Sequence, residues 1–174
     1  MLLYYLAQEK VVSLSDPVTK FMPNFAVVNP YDMSKSGVNA VTLESLASHT
    51  SGLTRDIECN AKEECTEQMC IDQINQVPLF HQPLARSHYS NVGFALLGRC
   101  LEHAAQDYYQ DKTLTYESLV KKSILDLFGM NSSGFNYTDD IKERMAIGCL
   151  FPFCLSSCFL MFLVRFWFVF YVFV

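Results

Sequence analysis

The stretch that decides the fold is Tyr89-Ser90-Asn91-Val92-Gly93-Phe94-Ala95-Leu96-Leu97-Gly98. Apolar residues at positions 92, 96, 97, 100, 101 and 104 repeat at helical spacing and predict a helix packed on a core. Tyr89 and Asn91 stand just before it, where a phenol can transfer a proton and an amide can hydrogen-bond a substrate. The alternative is structural, with Tyr89 in a turn and Asn91 as the helix cap. The three residues alone leave both interpretations open.

Further segments stand in a fixed order around this stretch. His49-Thr50-Ser51-Gly52-Leu53 precedes it, and Phe128-Gly129-Met130-Asn131-Ser132-Ser133-Gly134-Phe135 follows it. With residues 5–18 and Met145-Ala146-Ile147-Gly148, this ordered set resembles the signature of the superfamily of class C β-lactamases, penicillin-binding proteins and esterases. The resemblance covers residues 1–148 and leaves 149–174 as an apolar tail outside it.

The resemblance implies an α+β, β-lactamase/transpeptidase-like fold, of which residues 1–148 would form a partial domain holding mainly the helical part. It also implies an acyl-enzyme mechanism, in which the serine of a Ser-x-x-Lys motif attacks an amide or ester. On the matching positions, Tyr89 would be the catalytic residue that assists proton transfer, and Asn91 would bind the acyl side chain of the substrate. His49, Ser51 and Gly52 would belong to a structural signature.

The departures from the family pattern predict that this chain is truncated and inactive. No Ser-x-x-Lys precedes Tyr5, and the final Lys-Thr-Gly or His-x-Gly strand is absent. The one formal match, Ser118 with Lys121, comes after the tyrosine motif and is expected on a solvated helix surface. Lys10 stands where the family has glycine, which would cost about 1 kcal/mol in a left-handed backbone. The full-length form would act on a small-molecule or peptide-like acyl substrate; the alternative is a non-catalytic, membrane-anchored lumenal binding module.

Local signals predict further helices. Leu2 to Gln8 is expected to be the end of an apolar helix, and Thr42 to cap a short helix from Leu43 that ends near a left-handed Gly52. Residues 54–78 lack sustained periodicity and are expected to form a variable loop. Thr115 should cap a third helix, Tyr116 to Phe128, with one apolar side and Gly129 after its end. The apolar residues of that side are Leu119, Val120, Ile124 and Leu127.

Charge and cysteine spacing exclude several classes of function. The net charge is -5, without a basic stripe, so no nucleic-acid partner is expected. Cys59, Cys65 and Cys70 are not spaced as zinc ligands, and neither a metal nor a cofactor is predicted.

Two features favour the secretory pathway or a membrane, with the chain lumenal or extracellular. Asn131 and Asn136 begin glycosylation sequons, and a disulfide within Cys59–Cys70 would be stable in that compartment. The tail 149–174 is 26 residues long with Arg165 as its one charge, enough for a span of about 20 residues. The favoured origin is nevertheless translated non-coding sequence, such as a retained intron or an erroneous gene model, because the tail is dominated by Phe, Leu, Val, Cys and Ser and the family pattern stops where it begins.

Overall fold

The computed structural model describes residues 1–32, 40–58, 65–136 and 138–145. Within these ranges the secondary structure is helical, and the one β interaction is an isolated bridge between Pro17 and Thr42. Met1–Asn131 form one compact unit, and Ser132 begins a second. The elements are α1 (Leu2–Gln8), a 3₁₀ turn (Val18–Lys20), α2 (Leu43–Ala47), α3 (Glu67–Gln76), α4 (Asn91–Tyr109), α5 (Tyr116–Val120), a π-helical turn (Lys121–Leu125) and α6 (Asp139–Arg144).

Helix α4 organises the first unit. It begins where the Ser90 hydroxyl accepts the backbone N–H of Gly93, at 2.8 Å, and ends at Gln110 with a left-handed φ of 55°. The helix predicted from apolar spacing is confirmed, because all six predicted core residues are buried. These residues are Val92, Leu96, Leu97, Cys100, Leu101 and Ala104.

The short helices α1, α2 and α5 contact α4 and bury their apolar residues with it. The predicted α1 is confirmed, with Leu6 fully buried. The predicted cap of α2 is also confirmed, since Thr42 and Ser45 form a reciprocal capping box. Such caps satisfy backbone groups that a helix of five residues would otherwise leave to water.

The expectation of a loop across residues 54–78 is wrong for residues 67–76, which form α3. Thr66 caps this helix by accepting the N–H of Met69, and Ile71 and Ile74 are its two buried residues. The segment does carry local signals, a cap at Thr66 and the apolar residues Ile71 and Ile74 three positions apart, and the loop expectation overlooked them. Arg99 of α4 contacts this helix through an ion pair of 2.5 Å to Glu67.

The third predicted helix is correct at its start and wrong at its end. Thr115 caps α5 as predicted, and Gly129 has the predicted left-handed φ, at 64°. From Lys121 the backbone widens into a π-helical turn, closed by the bond from the Asp126 N–H to the Lys121 carbonyl at 2.9 Å. The extra residue in this turn rotates the following side chains, and Leu127 is 69% exposed instead of packed on the apolar side.

Helix α6 belongs to the second unit, where Thr138 caps it and Arg144 pairs with Asp140 at 2.6 Å. Among the described residues, every helix is too short or too polar to cross a bilayer. The apolar tail 149–174 lies outside the described residues, as does the predicted boundary between 148 and 149.

Candidate functional site

The candidate site forms where the segment after α2 meets the segment before α4. Tyr89 lies on the second segment, and its side chain is 56% exposed. The guanidinium carbon of Arg55, on the first segment, lies 5.7 Å from the centre of the Tyr89 ring, a cation–π distance. The phenol is therefore accessible and has a cation at its face.

Hydrogen bonds join the two segments on both sides of Tyr89. The His88 N–H donates to the His49 carbonyl at 2.7 Å, and the Asn91 N–H donates to the Arg55 carbonyl at 2.9 Å. Between them, the fully buried Ser90 donates its hydroxyl to the Thr54 carbonyl at 2.6 Å. The backbone around Tyr89 is thus held by residues 35 to 41 positions earlier in the chain.

His49 contacts Tyr89 through its ring as well as its backbone. The centres of the two rings are 4.4 Å apart, and the His49 ring also stacks on Phe94 at 4.6 Å. Its Nδ1 accepts the Ser90 N–H at 3.2 Å. Burial lowers the pKa of His49 from its ordinary value of 6.5, because burial penalises the charged imidazolium.

Asn91 makes a side-chain contact that the capping interpretation does not include. Its amide Nδ2 donates to Oδ1 of Asp56 at 2.7 Å, and the other carboxylate oxygen of Asp56 lies 3.4 Å from Nε of Arg55. Ser90, not Asn91, caps α4, so the alternative in which Asn91 is the helix cap is wrong. The structure places an exposed Asn91 two residues after Tyr89, at the same junction of segments.

Ser51 and Gly52 lie beneath this junction. Ser51 is fully buried, and its hydroxyl accepts the Leu53 N–H at 3.3 Å. Gly52 has a φ of 78°, and a Cβ there would lie 2.4 Å from the His81 carbonyl oxygen. The Gly52 carbonyl in turn accepts the Phe80 N–H at 2.9 Å, so the position needs both a left-handed backbone and the absence of a side chain.

Sequence reasoning missed Arg55 and Asp56. Their only sequence signal is adjacency to the His49–Leu53 segment, because neither belongs to a motif of its own. The expectation for Ser118 and Lys121 agrees with their contacts. The Ser118 hydroxyl forms the capping box of α5, and Lys121 pairs with Asp126 at 2.5 Å.

Lys10 has a strained backbone, and the two sequon asparagines are accessible to solvent. Lys10 has a φ of 60°, the left-handed conformation expected at a position where the family has glycine. Asn131 and Asn136 are both exposed. Cys65 is disulfide-bonded, whereas Cys59 lies outside the described residues.

Comparison with known proteins identifies the family. The sequence model of the family Beta-lactamase matches residues 1–148. The chain belongs to the beta-lactamase family. It is 37% identical over 145 residues to Beta-lactamase-like protein 2 of Dictyostelium discoideum, covering 80% of this chain and 24% of that protein. It is 32% identical over 148 residues to Beta-lactamase-like protein 4 of the same organism, covering 82% of this chain and 26% of that protein. The chain therefore spans about a quarter of the length of these relatives.

Solved structures show the fold. A Beta-lactamase/D-alanine Carboxypeptidase from Yersinia pestis superposes with a TM-score of 0.66 at 26% identity, covering 84% of this chain and 40% of that one. A class C beta-lactamase superposes with a TM-score of 0.64 at 20% identity, covering 82% and 35%. The fold is thus the α+β, β-lactamase/transpeptidase-like fold, and the described residues form mainly its helical part, as predicted.

Proposed function

We propose that Tyr89 and Asn91 belong to the active site of a serine hydrolase that cleaves an amide or ester through an acyl-enzyme, and that residues 1–174 alone do not complete the reaction. The observation that supports the site is the exposed Tyr89, fixed on both sides by the preceding segment and faced by Arg55. The absence of a Ser-x-x-Lys before Tyr89 supports the inactivity of this chain.

In the proposed reaction, a serine oxygen attacks the carbonyl carbon of the substrate and its proton passes to a base. The leaving group takes a proton as its bond to the carbonyl carbon breaks, and water then hydrolyses the acyl-enzyme. Tyr89 is proposed to assist this proton transfer from the serine oxygen to the leaving group, which is a nitrogen in an amide and an oxygen in an ester. Asn91, whose Nδ2 is held by Asp56, is proposed to bind the acyl part of the substrate.

The first experiment exposes the whole chain to a fluorescent penicillin and to an activated aryl ester. No labelled serine and no turnover above that of buffer are expected, since the attacking serine and its lysine are absent. Covalent labelling that peptide mass spectrometry maps to a serine of this chain would refute the proposed inactivity.

The second experiment asks whether the site works when the nucleophile is present. The longest transcript encoding residues 1–148 is sequenced, and its product is assayed with the same probes if it adds a Ser-x-x-Lys before residue 1. Tyr89→Phe should lower kcat/KM by a factor of about 10² to 10⁴, the usual contribution of general acid–base catalysis.

Tyr108→Phe is the matched control, because Tyr108 is 57% exposed against 56% for Tyr89 and lies at the far end of α4. An equal loss in both variants, or none in Tyr89→Phe, would count against a catalytic Tyr89.

The proposed location is the lumen of the secretory pathway or the cell surface, supported by the exposure of Asn131 and Asn136. Expression in secreting eukaryotic cells should give a chain whose mass falls after treatment with a peptide N-glycosidase. In Asn131→Gln this loss of mass should be smaller by one glycan. A glycosylated, carbonate-resistant but unreactive chain would favour the membrane-anchored binding module. An unglycosylated chain retained in the cytosol would refute the location.

A further inference from the structure

His49 holds the residues on both sides of Tyr89 as well as Tyr89 itself. Its carbonyl accepts the N–H of His88 at 2.7 Å, and its Nδ1 accepts the N–H of Ser90 at 3.2 Å. Its ring packs at a tilt against the Tyr89 ring, with ring centres 4.4 Å apart, and stacks on the Phe94 ring at 4.6 Å. One residue therefore holds the backbone on both sides of the proposed catalytic tyrosine and contacts its ring.

The bond from Ser90 fixes the protonation state of His49. A ring nitrogen that accepts a backbone N–H must carry a lone pair, so the neutral ring holds its proton on Nε2. If His49 gains a second proton, Nδ1 becomes a donor and faces the Ser90 N–H, another donor. The hydrogen bond is then lost and the two groups repel each other.

The groups around His49 make its charged form still less favourable. The titratable and charged groups that hydrogen bonds and ring contacts bring to this junction are His88 and Tyr89 before α4, and Arg55 and Asp56 after α2. His81, Arg86 and Glu58 also lie on the two segments. Arg55 already faces the Tyr89 ring, so a protonated His49 would place a second cation against it. Asp56 is occupied by Arg55 and by the Asn91 amide. Burial of the His49 ring also lowers its pKa.

We propose that His49 is a positioning residue that holds Tyr89 in the site while its imidazole is neutral and releases the Ser90 backbone next to Tyr89 when it is protonated. The catalytic consequence, a loss of activity in acid, rests on the proposed role of Tyr89. The structural event does not, because it involves only contacts within this chain.

The test is a titration of the isotope-labelled chain 1–174, followed by NMR from about pH 8 to about pH 4. The Ser90 amide and the Tyr89 ring resonances should shift together, with one midpoint below 6.5 that matches the His49 ring protons. The exchange protection of the Ser90 amide, corrected for the intrinsic effect of pH, should fall about fivefold on loss of this bond.

Three variants isolate the cause. His49→Asn places Oδ1 where Nδ1 lies, accepts from Ser90 at every pH and tolerates the left-handed φ of 56°, so its titration should be flat. His49→Phe keeps a ring against Tyr89 without an acceptor, and it should show the acid form at every pH. His88→Gln removes the neighbouring imidazole and should leave the titration unchanged.

The inference is overturned if the wild-type Ser90 and Tyr89 resonances stay fixed while His49 titrates, a result that needs no variant to fold. It is also overturned if His49→Asn still titrates. Failure of acyl probes to react would refute the proposed function and leave this titration intact. Reactive probes with an unresponsive Ser90 amide would refute the positioning role alone.

Discussion

Gly52→Ala should destabilise the chain more than any other replacement of glycine by alanine in the described residues. The φ of 78° costs an alanine about 1–2 kcal/mol in the left-handed region. The new Cβ would also lie 2.4 Å from the His81 carbonyl oxygen, a backbone atom that cannot rotate away. Moving that carbonyl strains the adjacent bond from the Phe80 N–H to the Gly52 carbonyl, which contributes about 1 kcal/mol.

The sum is a loss of about 2–3 kcal/mol in the free energy of unfolding. With a urea m-value of about 1–3 kcal/mol/M for a chain of this size, the urea midpoint should fall by roughly 0.7–3 M. Far-ultraviolet circular dichroism measures it, since the described residues are helical.

Gly129→Ala is the matched control, because Gly129 has a similar φ of 64° but nothing within 4 Å of a new Cβ. It should lose only the backbone contribution, about 1–2 kcal/mol. If the two variants unfold at the same urea concentration, the close approach to His81 carries no energy and the structural account of Gly52 is refuted.

Three further predictions use the same chain. Gly98→Ala should raise the free energy of unfolding by about 0.5–1 kcal/mol, since alanine favours the interior of α4 and its Cβ would meet Tyr116 at an ordinary 3.5 Å; a lower urea midpoint would contradict this. Glu102→Ala should cost about 2–4 kcal/mol, because the buried carboxylate accepts from Arg99 and from the Tyr116 N–H, each at 2.7 Å; a loss below 1 kcal/mol by the same assay would show that water replaces it. Burial raises the pKa of Cys100 to about 12, so at about pH 8 only about one molecule in ten thousand carries the thiolate. Iodoacetamide should therefore leave Cys100 unmodified in the native chain and alkylate it in urea. Alkylated Cys100 in a digest of the native chain, detected by mass spectrometry, would contradict this.

Much of the helical core could be predicted from the sequence because its signals are local. The spacing of six apolar residues predicts α4, and Thr42 and Thr115 mark the starts of α2 and α5 through caps that involve residues three positions away. Gly52 and Gly129 likewise indicate left-handed backbone, because glycine has no Cβ and adopts a positive φ without strain. The ordered segments around Tyr89 were enough to indicate the family that the match to residues 1–148 establishes.

The prediction failed at α3 and in the turn after α5. Helix α3 has only two buried residues, and its Glu67 pairs with Arg99, 32 positions later. The π-helical turn after α5 leaves Leu127 outside the apolar side that simple helical spacing assigns to it. The π-helical turn has no signal in its own segment that periodicity could reveal. Helix α3 does have one, the cap at Thr66 with Ile71 and Ile74 on one side, and the loop expectation overlooked it.

The sequence by itself determined which family the chain resembles and where its main helix lies, because motifs and apolar spacing are written in consecutive residues. Only the tertiary structure decided what surrounds Tyr89. Arg55 faces Tyr89 from 34 positions earlier in the chain, and Asp56 accepts from Asn91 across 35 positions. The His49 ring contacts Tyr89 across 40 positions. Those approaches depend on the packing of α2 against α4, which no single segment of the sequence records.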